Sequence, residues 1–164
     1  MSVKTYMVPK VYRPKDFIPV KRAEIPKDFL KYYGIIRQYV KKKYDMNTHY
    51  FEMMCFLYSE GIFNLKTMEQ YNQFLPFSQN KRKNLITMGY ISVFREATMT
   101  RGALYEVSMK GRAMMRDVYD RLTGEKAIEL IKNPKTFSER QFNRVAKRTN
   151  EDFKEQRQHQ PPSQ

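Results

Sequence analysis

The stretch Ser78–Ser108 reads SQNKRKNLITMG, then YISVFRE, then ATMTRG, then ALYEVS, and the rest of the chain is organised around it. Ser78 is suited to open a helix, because its hydroxyl can accept one of the unpaired first-turn N–H groups. Three cations follow at once, Lys81, Arg82 and Lys83. Gly89 stands where a helix would end in a left-handed residue. Tyr90, Ile91, Val93 and Phe94 then read as a strand, and Ala103 to Val107 as a second, with Leu104, Tyr105 and Val107 supplying its bulk. The six residues Ala97 to Gly102 form the hairpin tip, which carries Arg101. The expectation is a basic helix followed by a two-stranded wing, the pattern of a winged helix-turn-helix.

Upstream, Phe29, Tyr33, Ile36, Val40 and Tyr44 step by three or four residues, which predicts an amphipathic helix over 27–44. Lys31, Arg37 and Lys41–Lys43 lie on its other face. Asn47 or Thr48 can cap a second helix through Glu60, stopped by Gly61, with Phe51, Met54, Leu57 and Tyr58 inward. Phe63 and Leu65 fit a short strand. A helix from Lys66 or Thr67 to Phe74 and a turn at Leu75-Pro76-Phe77 lead into the basic helix, completing a helix-turn-helix over 62–89 with the wing at 90–108.

Downstream, Ser108 can cap MKGRAMMRDVYDRL, whose inner face holds Met114 or Met115, Val118 and Leu122. Thr123-Gly124 breaks that helix. Ala127 to Ile131 reads as a further turn or two, ended by Asn133-Pro134. Thr136 or Ser138 can begin a C-terminal helix within 132–157, with Phe142, Val145, Ala146, Thr149 and Phe153 along one side, and 158–164 is a polar tail. At the other end, residues 1–26 carry prolines at 9, 14, 19 and 26, which oppose a continuous helix and favour an extended basic arm. The expected fold class is mainly α with a small β-wing: a winged helix-turn-helix domain over 27–131, flanked by N- and C-terminal helices.

Charge separates the classes of partner. The chain holds 31 Lys+Arg against 17 Asp+Glu, a formal net charge of +14. Such a balance suits a polyanion. The excess is uneven: residues 1–45 carry 12 cations and 4 anions, 46–124 carry 10 and 7, and 125–164 carry 9 and 6. The arm is therefore expected to contribute much of any nucleic-acid affinity. No apolar run approaches the roughly 20 residues of a membrane span, and the N-terminus lacks a signal-peptide pattern. The one cysteine, Cys55, permits no internal disulfide and fits a reducing compartment. The expected location is the cytoplasm, nucleoid-associated, or a host cytoplasm or virion, since the Lys-, Asn-, Met- and Tyr-rich composition fits a phage origin.

Catalysis is not expected. The sequence has no phosphate-binding glycine loop, no paired metal-ligand spacing and no nucleophile–base constellation. His49, His159 and Cys55 are scattered and read as structural, so neither a metal nor a cofactor is expected.

Two passages, NLITMGYISVFRE and RGALYEVSMKGRAMM, carry a resemblance to the MarR (multiple antibiotic resistance regulator) family of winged-helix transcription regulators, over residues 27–131. Leu85 precedes Gly89 by four places, as in that family. Arg101 lies six residues before Val107, which leads into the Ser108 cap, and Lys110-Gly111-Arg112 matches the common continuation. The sequence departs from the pattern at Met99, where an acidic residue often stands, and at Lys81 and Arg82, where apolar residues are common. The arm and the helix after Pro134 are additions.

The resemblance implies sequence-specific binding of double-stranded DNA and transcriptional regulation as a homodimer. Ser78, Gln79, Asn80, Lys81, Arg82 and Lys83 would then approach the major groove. Gln79 and Asn80 could pair with adenine edges and Arg82 with guanine, while Lys81 and Lys83 would sit on phosphates. Arg101, with Thr98 and Thr100, would meet the minor groove. Phe29, Tyr33, Ile36 and Val40 would form the dimer seam against the helices after Ser108, placing half-sites about 10 base pairs apart. The competing expectation is a winged-helix structural or assembly module, for example in a phage or nucleoprotein complex, that uses the arm and wing for protein or non-specific nucleic-acid contacts. The blander reading of KRK alone is a solvated helix face.

Overall fold

The computed structural model describes residues 29–74 and 78–158. The arm 1–26, the first turn expected at 27–28, the turn at 75–77 and all but the first residue of the tail 158–164 lie outside the described residues.

Among the described residues, six helices and three short strands follow in the order α1 (Phe29–Tyr44), α2 (Thr48–Glu60), β1 (Ile62–Phe63), α3 (Leu65–Tyr71), α4 (Gln79–Thr87), β2 (Ile91–Arg95), β3 (Leu104–Val107), α5 (Met109–Leu122) and α6 (Phe137–Gln158). The strands make one antiparallel sheet in the order β1-β3-β2. Val93 pairs with Tyr105, and Tyr105 pairs with Phe63 on its other side. A bulge between Val93 and Arg95 ends the regular register just before the hairpin tip.

Side-chain caps set most helix starts. Asn47 Oδ1 accepts from Tyr50 N at 3.1 Å, Asn64 Oδ1 from Thr67 N at 3.0 Å, and Ser78 Oγ from Lys81 N at 3.4 Å. Each satisfies a first-turn donor that has no carbonyl within its helix. Ser108 does more. Its Oγ accepts from Gly111 N at 3.1 Å and donates to Gly89 O at 2.6 Å, while its backbone N–H reaches Tyr90 O at 3.0 Å. The end of α4 is thus bonded to the start of α5, with Gly89 in the left-handed region at φ 78° as its position requires.

The core runs through the whole described chain. Ile36, Val40, Phe51, Met53, Met54, Leu57, Leu85, Ile91, Met114, Met115 and Ile128 are almost wholly enclosed. α5 packs on α1 and α2, and α1 also packs on α6, where the rings of Tyr32 and Phe153 lie 4.4 Å apart. The helix after Pro134 is therefore part of the same core.

Two expectations change here. Ile36 and Val40 were read as part of a seam with a second copy, but they are 1% and 0% exposed inside this chain and cannot form one. The buried side of α1 centres on Tyr32, Ile35, Ile36, Tyr39 and Val40, so Phe29 and Tyr33 fall at its edge. The intrachain partners α5 and α6 cover the stripe that sequence left open.

The second change is Ala127 to Ile131, which is not helical and forms no regular element. Asn150 explains one end: its Oδ1 accepts from Ile128 N at 2.8 Å and its Nδ2 donates to Ile128 O at 3.0 Å. Asn143 does the same for Ile131, at 2.7 and 2.9 Å. Seven residues apart on α6, the two amides supply what a neighbouring strand would, so the segment needs no helical hydrogen bonds of its own. Thr136 and Glu139 then form a reciprocal capping box for α6. Glu139 accepts from the N–H groups of Lys135 and Thr136 at 2.8 and 2.9 Å, and Thr136 Oγ1 accepts from Glu139 N at 3.2 Å.

No helix among the described residues is long and apolar enough to cross a membrane.

Candidate nucleic-acid interface

α4 is held to the body of the protein by Leu85, which is fully buried, with Ile86 and Met88 half-buried beside it. Helical spacing then decides which residues face out. Gln79, Lys83 and Thr87 step by four, and Asn80 and Asn84 step by four alongside them. All five are exposed, and none is apolar. This face is narrower than the basic run suggests and extends further toward the C-terminus.

The expected contact residues therefore divide. Ser78, Gln79, Asn80 and Lys83 are exposed, although the Ser78 hydroxyl is engaged as the cap. Lys81 and Arg82 are half-buried on the flanks of the helix. Arg82 turns toward the sheet, with its guanidinium carbon 5.9 Å from the centre of the Tyr105 ring on β3. An arginine over an aromatic face gains a cation–π contact, and there Arg82 packs against the protein rather than standing on the outer face as expected. Asn84 and Thr87 were not singled out in sequence. The signal was available in the four-residue step from Asn80 and Lys83, but the KRK triplet drew the reading toward charge.

Asn84 is also oriented. Its Nδ2 donates to the hydroxyl of Tyr50 on α2 at 2.9 Å. The Thr87 hydroxyl donates back to Lys83 O at 2.9 Å. Among the described residues no side chain holds the amides of Gln79 or Asn80.

The hairpin tip is a closed turn. Thr98 N donates to Arg101 O at 2.8 Å, and Arg101 N donates to Thr98 Oγ1 at 3.1 Å. Thr98, Met99, Thr100 and Arg101 are all exposed, Met99 completely. Among the described residues no carboxylate pairs with Arg101; the turn backbone is what positions it. Arg95 reaches across the base of the hairpin to Gly102 O at 3.4 Å. Val93 and Phe94 on β2 are 38% and 54% exposed and make an apolar patch on the hairpin.

A different cluster joins α1, α5 and the segment 125–131. Asp117 accepts from the hydroxyls of Tyr39 and Tyr44, each at 2.8 Å, and pairs with Arg121 at 3.1 Å. Arg121, 5% exposed, also pairs with Glu129 at 2.7 Å and donates to Ala127 O. Burial alone would raise the Asp117 pKa, but the hydrogen bonds from Tyr39, Arg121 and Tyr44 outweigh it and lower the carboxyl to about 2. These groups satisfy one another, with Asp117 and Arg121 enclosed and Glu129 at the surface, and they tie 125–131 to α1 and α5. Burial pushes the Cys55 thiol up to about 12, which keeps it protonated near neutral pH.

A groove of about 380 Å³ lies between α1 and α6, bounded by Lys31, Gly34, Ile35, Phe142, Val145 and Thr149 among others. No residue of α4 or the hairpin lines it. Among the described residues no group of three or more His, Cys, Asp or Glu side chains is placed to hold a metal ion.

Comparison of the chain with known protein families, with curated proteins and with solved structures gives no match.

Proposed function

We propose that this chain binds double-stranded DNA as a winged helix-turn-helix protein of MarR-like character, with α4 in the major groove and the β2–β3 hairpin on the minor groove. The observation that carries this reading is the outer face of α4. Gln79, Asn80, Lys83, Asn84 and Thr87 form an entirely polar, exposed row on a helix whose other side is anchored by fully buried Leu85. Amides, a cation and a hydroxyl are the groups that read base edges and phosphates. The element order agrees, since a basic helix leads directly into a hairpin tipped by Arg101. The net charge of +14 supplies the non-specific attraction such a protein needs.

In this reading Gln79 and Asn80 contact bases and Lys83 a phosphate. Arg101 and Thr100 lie along the minor groove. Arg82 acts from behind, by stacking on Tyr105. Transcriptional regulation as a homodimer follows from the family resemblance, with any contact between copies made outside Ile36 and Val40.

The test is selection of bound duplexes from a random pool by the purified full chain, followed by titration of the best duplex against salt. A recovered motif with steep salt dependence supports the proposal. Retention on DNA with no motif would leave only a packaging role. Absence of binding at low salt would remove nucleic acid from the account.

One observation favours a second reading, an assembly module whose wing docks on protein. Val93, Phe94 and Met99 give the hairpin more exposed apolar surface than a phosphate-facing wing requires. That reading predicts that Phe94→Ser abolishes a protein contact while leaving any DNA shift unchanged.

A further inference from the structure

We infer that Asn84 is a specificity-determining residue of the α4 face, and that Tyr50 is the residue that positions it. This rests on the proposal that α4 enters the major groove, and it adds which kind of base edge one residue reads. Asn84 differs from the other two amides on the face because it is held. Its Nδ2 is committed to the Tyr50 hydroxyl at 2.9 Å. Tyr50 is in turn fixed twice, by its ring packed against the core and by its backbone N–H donating to Asn47 in the α2 cap at 3.1 Å.

That orientation fixes where the amide oxygen stands. Nothing among the described residues donates to Asn84 Oδ1, and the residue is exposed beside Lys83 and Thr87. A free amide can turn over and exchange the places of its donor and acceptor, and its paired bonds to adenine use both groups at once. With one Nδ2 N–H engaged, Asn84 cannot turn over, so its Oδ1 acceptor keeps one place and a single N–H remains beside it. The complementary major-groove edges are those that donate: the N6 amine of adenine and the N4 amine of cytosine. Guanine and thymine present acceptors at the corresponding positions and would set two lone pairs against each other. The base N–H donates and Asn84 Oδ1 accepts; at adenine the remaining Nδ2 N–H can also donate to N7.

Preorganisation is the reason to assign the role to Asn84. An unheld side chain loses rotamer freedom when it binds, whereas Asn84 has already been ordered in folding. Its discrimination should therefore be sharper than its position near the end of the helix suggests.

The experiment uses the full chain and a random duplex pool, with the wild type, Asn84→Ala and Tyr50→Phe selected in parallel. The wild-type motif is expected to contain one position per half-site, adenine or cytosine, that loses its preference in Asn84→Ala while the other positions keep theirs. Discrimination at that position should fall about tenfold. Tyr50→Phe should relax the same position, with the affinity for the wild-type consensus changing less than about threefold, because the amide is then free to turn. A merely structural role for Tyr50 would instead lower affinity evenly across all duplexes. Because Tyr50 touches the core, circular dichroism of Tyr50→Phe is compared with wild type; Asn84→Ala, on an exposed position, carries the test should that variant fail to fold. A motif unchanged in both variants, or a relaxed position occupied by guanine or thymine, overturns the inference and leaves the proposed function standing. A wild-type selection with no motif overturns both.

Discussion

Asp117 and Arg121, one turn apart on α5, form an ion pair of 3.1 Å that is shielded on both sides, with Arg121 5% exposed. The pair is not isolated, since Tyr39 and Tyr44 donate to the same carboxylate from α1 and its end. Hydrogen bonds to the charged form lower the Asp117 pKa to about 2, below an ordinary aspartate. A carboxyl whose folded pKa lies below its unfolded value contributes stability above the unfolded pKa, and that contribution disappears as pH falls through the folded one. The expected outcome is a loss of about 2 kcal/mol between roughly pH 4 and pH 2 that Asp117 alone accounts for. Urea denaturation of wild type and Asp117→Asn at a series of pH values checks this. The gap between the two should be widest near neutrality and close across that acid window; a constant gap would mean the hydrogen bonds do not distinguish the charged form.

Gly111 and Gly34 make opposite predictions although both are glycines within helices. A Cβ at Gly111 would lie 2.5 Å from Tyr90 O and 2.7 Å from a Val107 methyl, so the start of α5 could not keep its approach to β2 and β3. Gly111→Ala should cost about 2 kcal/mol despite its better helix propensity, because strain in a packed core exceeds that gain. A Cβ at Gly34 meets nothing within 4 Å. Gly34→Ala should therefore stabilise the protein by about 0.5–1 kcal/mol. Thermal unfolding of the two variants, measured side by side, reads both signs.

The segment 125–131 offers a third test. Replacing Asn150 by Ala removes the partner of both Ile128 N and Ile128 O, and Ile128 is 1% exposed. Leaving backbone groups unpaired in such a place costs about 1–3 kcal/mol. Amide hydrogen exchange should show Ile128 losing protection in Asn150→Ala and Ile131 losing it in Asn143→Ala. Protection unaltered in both would mean that packing of Ile128, not the amides, holds the strap.

These elements differ in how far they could be read from residues alone. The starts of α2, α4 and α5 were legible because Asn47, Ser78 and Ser108 are local signals: a cap needs only the three residues after it. The hairpin was legible for the same reason, through Gly89 and the apolar runs around its tip, whereas the pairing of Ile62–Phe63 with β3 was not. The segment Ala127–Ile131 was not, since its geometry is set by Asn143 and Asn150, whose amides carry no mark of their targets. The α1 stripe was legible in part. Spacing identified an apolar side, but only the position of α5 and α6 shows that this side is filled from within the chain. At the candidate interface, charge type drew attention to α4 but did not show which of its residues stand outward, because a run of three cations must wrap around the helix.

That last point sets the sharpest contrast for the interface itself. Lys83 stands on the outer face, while Arg82, its neighbour in sequence, lies over Tyr105 at 5.9 Å. If α4 meets DNA, Lys83→Ala should reduce the slope of log affinity against log salt by about 1, because one phosphate contact and its released counterion are lost. Arg82→Ala should leave that slope and the recovered motif alone, and should instead lower stability by about 0.5–1 kcal/mol through the lost ring contact. Arg101→Ala should weaken binding by about 1–3 kcal/mol through its groove contact. Filter binding over a range of salt, with a denaturation curve for each variant, separates the three effects. Should Arg82→Ala change the motif and Lys83→Ala change nothing, α4 would have to present its other flank to the duplex, and the outer face described here would not be the reading surface.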